Sequence, residues 1–163
     1  MAIRLTDEDI ARFIRERKPL PADYQTRIQV RPKRGHKERE MDLRGVDGSE
    51  YRLILRQSTF NVLDFSVILA YCPPKSNQLF RLRRYNGKSH EHTNTIEGQT
   101  FYEFHIHQAT ERYQDIGENK EDAFAESTDR FADMQGAIRC LIEDCGFDVP
   151  RQRQIPLFEE MEP

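Results

Sequence analysis

The sequence predicts an α+β fold: an antiparallel β-sheet of about five strands, with an N-terminal and a C-terminal helix packed on one face. Three observations predict it. A helical apolar stripe appears near each end of the chain, the residues between them alternate with a period of two, and Gly, Pro and Asn punctuate that alternation.

The first helix is expected over Thr6–Lys18. Thr6 is a capping residue, and Asp7, Glu8 and Asp9 fill the first turn, where the helix dipole favours anions. Ile10, Phe13 and Ile14 make the apolar stripe. Arg15, Arg17 and Lys18 close the last turn before Pro19 and Pro21.

Strands follow. Lys37–Leu43 and Ser49–Arg56 flank the hairpin turn Gly45-Val46-Asp47-Gly48. Asn61–Cys72 is the most apolar stretch and predicts a central strand, ended by Pro73-Pro74. Gln78–Tyr85 is the next strand, closed by Asn86-Gly87. Thr100–Gln108 is the last, with Tyr102, Phe104 and Ile106 toward the core and Phe101, Glu103, His105 and His107 on the opposite face.

The second helix is expected from a cap at Ser127 or Thr128, with Phe131, Met134, Ile138, Leu141 and Ile142 as its stripe. Gly146 suits a left-handed position just past its end, and Pro150 prevents continuation. Residues 1–150 read as a single domain, and Arg151–Pro163 as a loosely held extension ending in Glu159, Glu160 and Glu162.

Composition narrows the function classes. The chain has 163 residues and a net charge of -3, so the global basic field of many nucleic-acid binders is absent. The local stretch Arg27–Arg39 is basic, and it reads either as a solvated segment or as a phosphate-contacting arm. The three cysteines, Cys72, Cys140 and Cys145, have neither disulfide-framework nor metal-ligand spacing. They read as reduced thiols, with Cys140 in the core. No apolar run approaches a membrane span, and the N-terminus has no signal-type apolar region, so the expectation is a cytoplasmic protein without a membrane partner.

Four of the five histidines form two His-x-His pairs, His90/His92 and His105/His107. Residues i and i+2 of a strand share a face, so each pair presents two imidazoles together. Three readings stay open. The rings are a solvated or structurally hydrogen-bonded set. Or they ligate Zn, Fe or Ni, with Glu97 or Glu103 completing the set. Or they serve as general acid and base on a phosphodiester, with no cofactor. Arg84 and Arg112 are candidate phosphate binders through their planar forks, and Tyr85 and Tyr113 candidate stacking platforms for a base.

The string Arg84-Tyr85-Asn86-Gly87-Lys88-Ser89-His90-Glu91-His92-Thr93-Asn94, followed by Phe104-His105-Ile106-His107, resembles the TumE-like toxins of bacterial toxin–antitoxin operons. Those carry an Arg-aromatic-Asp-Asn segment, a His-rich turn and a second His-rich strand. This chain has Asn86-Gly87 in place of Asp-Asn, and Phe104-His105-Ile106-His107 in place of a Pro-His-His run. The stretch Leu79–Tyr113 is also similar to bacterial and prophage proteins with an Arg-Tyr-Asn-Gly, His-x-His, Phe-His-Ile-His series. The resemblance implies a toxin or defence-associated ribonuclease, with RNA as substrate and a cognate antitoxin as partner. A metal-binding protein and a non-catalytic partner-binding module are the alternatives.

Overall fold

The structure is a computed structural model that describes residues 3–151. The expected extension beyond Arg151, with its acidic end, lies outside the described residues. The elements are α1 (Asp7–Arg15), β1 (Lys18–Pro19), α2 (Tyr24–Arg27), β2 (Arg31–Pro32), β3 (His36–Arg44), β4 (Glu50–Ser58), β5 (Phe65–Cys72), β6 (Phe80–Asn86), β7 (His92–Asn94), β8 (Gln99–Phe101), β9 (His105–Gln108), α3 (Glu111–Gln114), β10 (Ala125–Ser127), α4 (Met134–Asp144) and β11 (Phe147–Asp148).

The main sheet has seven strands in the order β10-β9-β6-β5-β4-β3-β2, all antiparallel. The fold is thus α+β with a larger sheet than expected. The extra strands are short pieces, β2 and β10, that the alternation alone did not mark. β5 lies at the centre, and Val67, Leu69 and Ala70 are fully buried. The basic stretch Arg27–Arg39 sits at the β2–β3 end, with β4, β5 and β6 between it and the histidines of β9. Lys37–Leu43 is paired along its length with β4 and at its start with β2.

Period-two alternation places Leu53, Leu55, Val67, Leu69 and Tyr85 in one core. Phe13 of α1 stacks on Tyr71, with ring centroids 4.0 Å apart. α4 contributes Met134, Ala137, Ile138 and Leu141 to the same core. Among the described residues, no helix is long and apolar enough to cross a membrane.

Both expected helices are shorter than their apolar periods suggest. Thr6 does cap α1, in a reciprocal box with Asp9. The helix nevertheless ends at Arg15, because Lys18 turns inward. It is fully buried, its Nζ donates to backbone carbonyls, and it pairs in parallel with Phe147. α4 is capped by Asp133, whose Oδ1 accepts from the Gly136 N–H at 2.8 Å, not by Ser127 or Thr128. Ser127 is taken by the edge strand β10. Gly146 takes the left-handed conformation, φ +77°, just past α4. The three cysteines are free thiols, with Cys140 and Cys145 buried.

Two departures shape the functional face. First, the expected strand Thr100–Gln108 is two strands in two sheets. Gln99–Phe101 pairs with His92–Asn94 in a small hairpin, and only His105–Gln108 joins the main sheet. Tyr102, expected in the core, sits in the break and is 53% exposed. Second, β6 carries a bulge. Leu69 pairs with Arg83 and Ala70 with Arg81, so Leu82 is the extra residue. Arg81 and Arg84 are three apart and would face opposite ways in a regular strand. The bulge turns both to the side away from the core, where both meet Asp122.

Candidate metal centre

The register of the main sheet builds the site. Arg84 of β6 lies opposite His107 of β9, which lies opposite Ala125 of β10. Asn86 lies opposite His105, which lies opposite Ser127. Cross-strand partners share a face, so His105, His107, Arg84 and Asn86 form a block on the side away from Tyr85 and Ile106. This side is not open to solvent. The β7–β8 hairpin folds over it and leaves His105 and His107 only 2% and 3% exposed.

One side chain docks that hairpin. Asn94 is fully buried; its Nδ2 donates to the Ala125 carbonyl at 2.7 Å, and its Oδ1 accepts from the Ala125 N–H at 2.9 Å. The amide thus imitates a strand partner for Ala125, and this double bond fixes its orientation. Asn94 sits two residues after His92 and shares its face. The docking therefore carries His92 onto His105 and His107.

The three rings converge. Ring centroids are 5.4 Å apart for His92–His105, 4.8 Å for His92–His107 and 4.9 Å for His105–His107. One nitrogen from each ring lies within 4.8 Å of those from the other two. Hydrogen bonds assign the protons. Nδ1 of His105 donates to the Glu103 carbonyl at 2.9 Å, and Nδ1 of His107 to the Asp122 carbonyl at 2.8 Å. A carbonyl only accepts, so these nitrogens carry the hydrogens and Nε2 keeps its lone pair. Asn94 Oδ1 likewise accepts from Nε2 of His92 at 2.8 Å, so Nε2 is the nitrogen of that ring engaged by an outer acceptor.

Burial holds two of the rings, His105 and His107, neutral near pH 7. It pushes the pKa of His105 down to about 4, with the neighbouring His92, Arg84 and His90 charges acting the same way and the Glu103 carbonyl opposing. His107 is held well below the usual imidazole range, by burial first and then by Arg84. A consequence for stability follows. Above pH 6.5 neither the folded nor the unfolded metal-free chain protonates His105. As pH falls from 6.5 toward 4, the unfolded chain takes up a proton that the folded chain does not. Stability should therefore drop across that window, by roughly 3 kcal/mol from this ring. Urea midpoints at pH 7 and pH 5 for metal-free protein and its His105→Asn variant check this. An equal slope in both would refute the assignment.

A cavity of about 220 Å³ opens beside the trio, lined also by Arg84, Asn86, His90, Lys120 and Asp122. His90 stands exposed at its mouth, with Nδ1 beside the Ser89 hydroxyl, and is not one of the converging three. Arg84 Nε donates to Asp122, a carboxylate 2% exposed, at 3.0 Å.

The remaining expected site residues lie elsewhere. Tyr85 points into the core, where its hydroxyl donates to Asp144 at 2.6 Å. Tyr113 is fully buried, and its hydroxyl donates to Glu97. Neither ring has a free face for a base. Arg112 is held by Glu97 at 2.5 Å and lies over Phe124. It does not line the cavity. Glu97 is committed to these two partners, and Glu103 offers the trio only its carbonyl, so neither completes a ligand set.

Asn94, Asp122, Lys120 and Arg81 belong to the site and were not foreseen. Only Asn94 had a sequence signal, its i+2 spacing from His92. No family model, no curated protein and no solved structure matches the chain, so the TumE-like resemblance remains an expectation and the functional reading rests on this geometry.

Proposed function

We propose that the chain is a metalloprotein in which His92, His105 and His107 bind one divalent cation of the zinc class, with a coordination position open to the cavity for metal-assisted hydrolysis. A single observation carries the reading. Each of the three imidazoles donates from one nitrogen to an outer acceptor, and one nitrogen of each ring lies within 4.8 Å of those of its two neighbours. That is the arrangement second-shell partners impose on ligating histidines. Three imidazole ligands and a fourth position facing the cavity suit a catalytic rather than a structural zinc site. Ligands of a tetrahedral zinc lie roughly 3.3 Å apart, so small side-chain shifts close the trio around an ion.

The same observation weakens proton transfer by histidines alone. General acid catalysis needs a protonated ring, and His105 and His107 hold no proton to give near neutral pH. His90 is the exposed imidazole of the cavity lining. A cation would supply the missing acid by polarising the substrate and lowering the pKa of bound water to about 7. Cleavage of RNA by a toxin, the activity the resemblance implies, is within this reading a proposal about the substrate.

Protein purified without a histidine tag tests the reading by elemental analysis. About one equivalent of metal per chain is expected, retained on dialysis. His92→Gln and His107→Ala should lose it while the circular dichroism spectrum persists. A chain that takes up no more zinc, iron, nickel or cobalt than the triple histidine variant would refute it.

A further inference from the structure

We infer that the cavity beside the histidines is an oxyanion subsite that takes a phosphoryl group of the substrate, held by Arg84 and Lys120. The inference rests on the metal reading for its place in a reaction, but its ligands are different residues.

The Leu82 bulge delivers Arg84 to this face, and Asp122 pins it through Nε alone. Among the described residues its two terminal Nη groups make no hydrogen bond, so the planar fork is oriented by Asp122 and keeps its outer edge for a ligand. Lys120 is exposed on the cavity wall and forms no ion pair among the described residues. Asn86, 7% exposed, also lines the cavity; its Oδ1 accepts from the Ser66 hydroxyl, and its Nδ2 is a further donor. Fork, ammonium and amide together offer more donors than a carboxylate has acceptor sites to use, and they suit the three free oxygens of a phosphoryl group.

Charge points the same way. Arg81, Arg84 and Lys120 line the cavity, with Asp122 as its one carboxylate among the described residues. The positive field of Arg84 already reaches His105 and His107. A cation on the trio adds to that field, and an anion bridging cation and guanidinium relieves it. The phosphoryl oxygens would thus bind in the same cavity that the three histidines line.

Calorimetric titration of zinc-loaded and metal-free protein tests this with four probes: inorganic phosphate, a 5′-mononucleotide, a short oligoribonucleotide, and acetate as control. Arg84→Met should weaken the phosphoryl probes by about tenfold, and Lys120→Ala by roughly threefold, both with zinc stoichiometry unchanged. Lys120→Ala, at an exposed position, guards against a folding defect in the first variant. Tighter, salt-sensitive binding of the oligoribonucleotide identifies RNA as the source of the group, whereas equal affinity for inorganic phosphate identifies a small phosphate. If phosphoryl probes bind and zinc does not, the subsite stands and the metal reading falls. If zinc binds while no phosphoryl probe does at millimolar concentration, the inference is overturned. It is also overturned if acetate binds as well as phosphate, or if both variants bind phosphate like the parent.

Discussion

Zinc at about a thousandfold excess over its Kd should raise the melting temperature of the untagged protein by about 10 °C, and His107→Ala should abolish the rise. The size follows from linkage. A ligand at that excess that binds only the folded chain adds about 4 kcal/mol, and a domain of this length gains a few degrees per kcal/mol. The unfolded chain competes poorly, because its three imidazoles come from strand β9 and from the β7–β8 hairpin, which only folding brings together. The folded chain has already aligned the rings through Glu103, Asp122 and Asn94, so little ordering remains to oppose binding. Differential scanning fluorimetry across a zinc series measures this. A melting temperature that does not move, or that moves equally in the His107 variant, sinks the proposal.

Lys18→Met should destabilise the fold by about 3–5 kcal/mol, the range for removing one partner from a buried charged network. The Lys18 ammonium donates to the carbonyls of Phe13 at 2.7 Å, Ile14 at 3.2 Å, Glu16 at 2.8 Å and Cys145 at 2.7 Å. These are the last carbonyls of α1 and of α4, which the helices themselves cannot satisfy. One cation therefore closes the C-terminal ends of both helices, and the negative ends of their dipoles favour its charge. Burial opposes the charge and pushes the Lys18 pKa down to about 8. Methionine keeps the apolar stem and removes every donor, so the carbonyls of Ile14, Glu16 and Cys145 lose this partner in a water-poor space and that of Phe13 keeps only the Tyr51 hydroxyl at 3.3 Å. Urea unfolding at pH 7 measures the loss. A change within 0.5 kcal/mol would mean that water replaces the ammonium freely.

Much of this architecture was legible because its signals are local. Thr6 with its acidic first turn, the Gly45–Gly48 turn between alternating runs, and Gly146 beyond the last apolar turn each act within a few residues. The errors fall where a distant partner decides. Lys18 reads as a surface residue closing a helix, since the carbonyl of Cys145 that helps draw it inward is remote in sequence. The alternation across Thr100–Gln108 hides a break, because period two persists through Tyr102 and Phe104. The bulge at Leu82 has no glycine to announce it.

The candidate site was legible in part for the same reason. The i+2 spacing of His105 and His107 put both on one face, but the convergence of His92 depends on Asn94 reaching Ala125. One error was avoidable. Arg84 and Tyr85 are neighbours on a strand and must point to opposite sides, so they do not line one cavity together. Asp122, which anchors Arg84 and accepts from His107, sits in a connection with no motif.

The pairing of β6 with β9 has a genetic consequence. Ile106 lies between His105 and His107 and fills the core opposite Tyr85. Inserting a single codon between His105 and His107 would put the two imidazoles on opposite faces of β9 and drive one of them into the hydrocarbon interior. Variation in length inside β9 should therefore abolish zinc uptake and destabilise the fold in one step, whereas loop-length changes at Lys75–Asn77 should be tolerated.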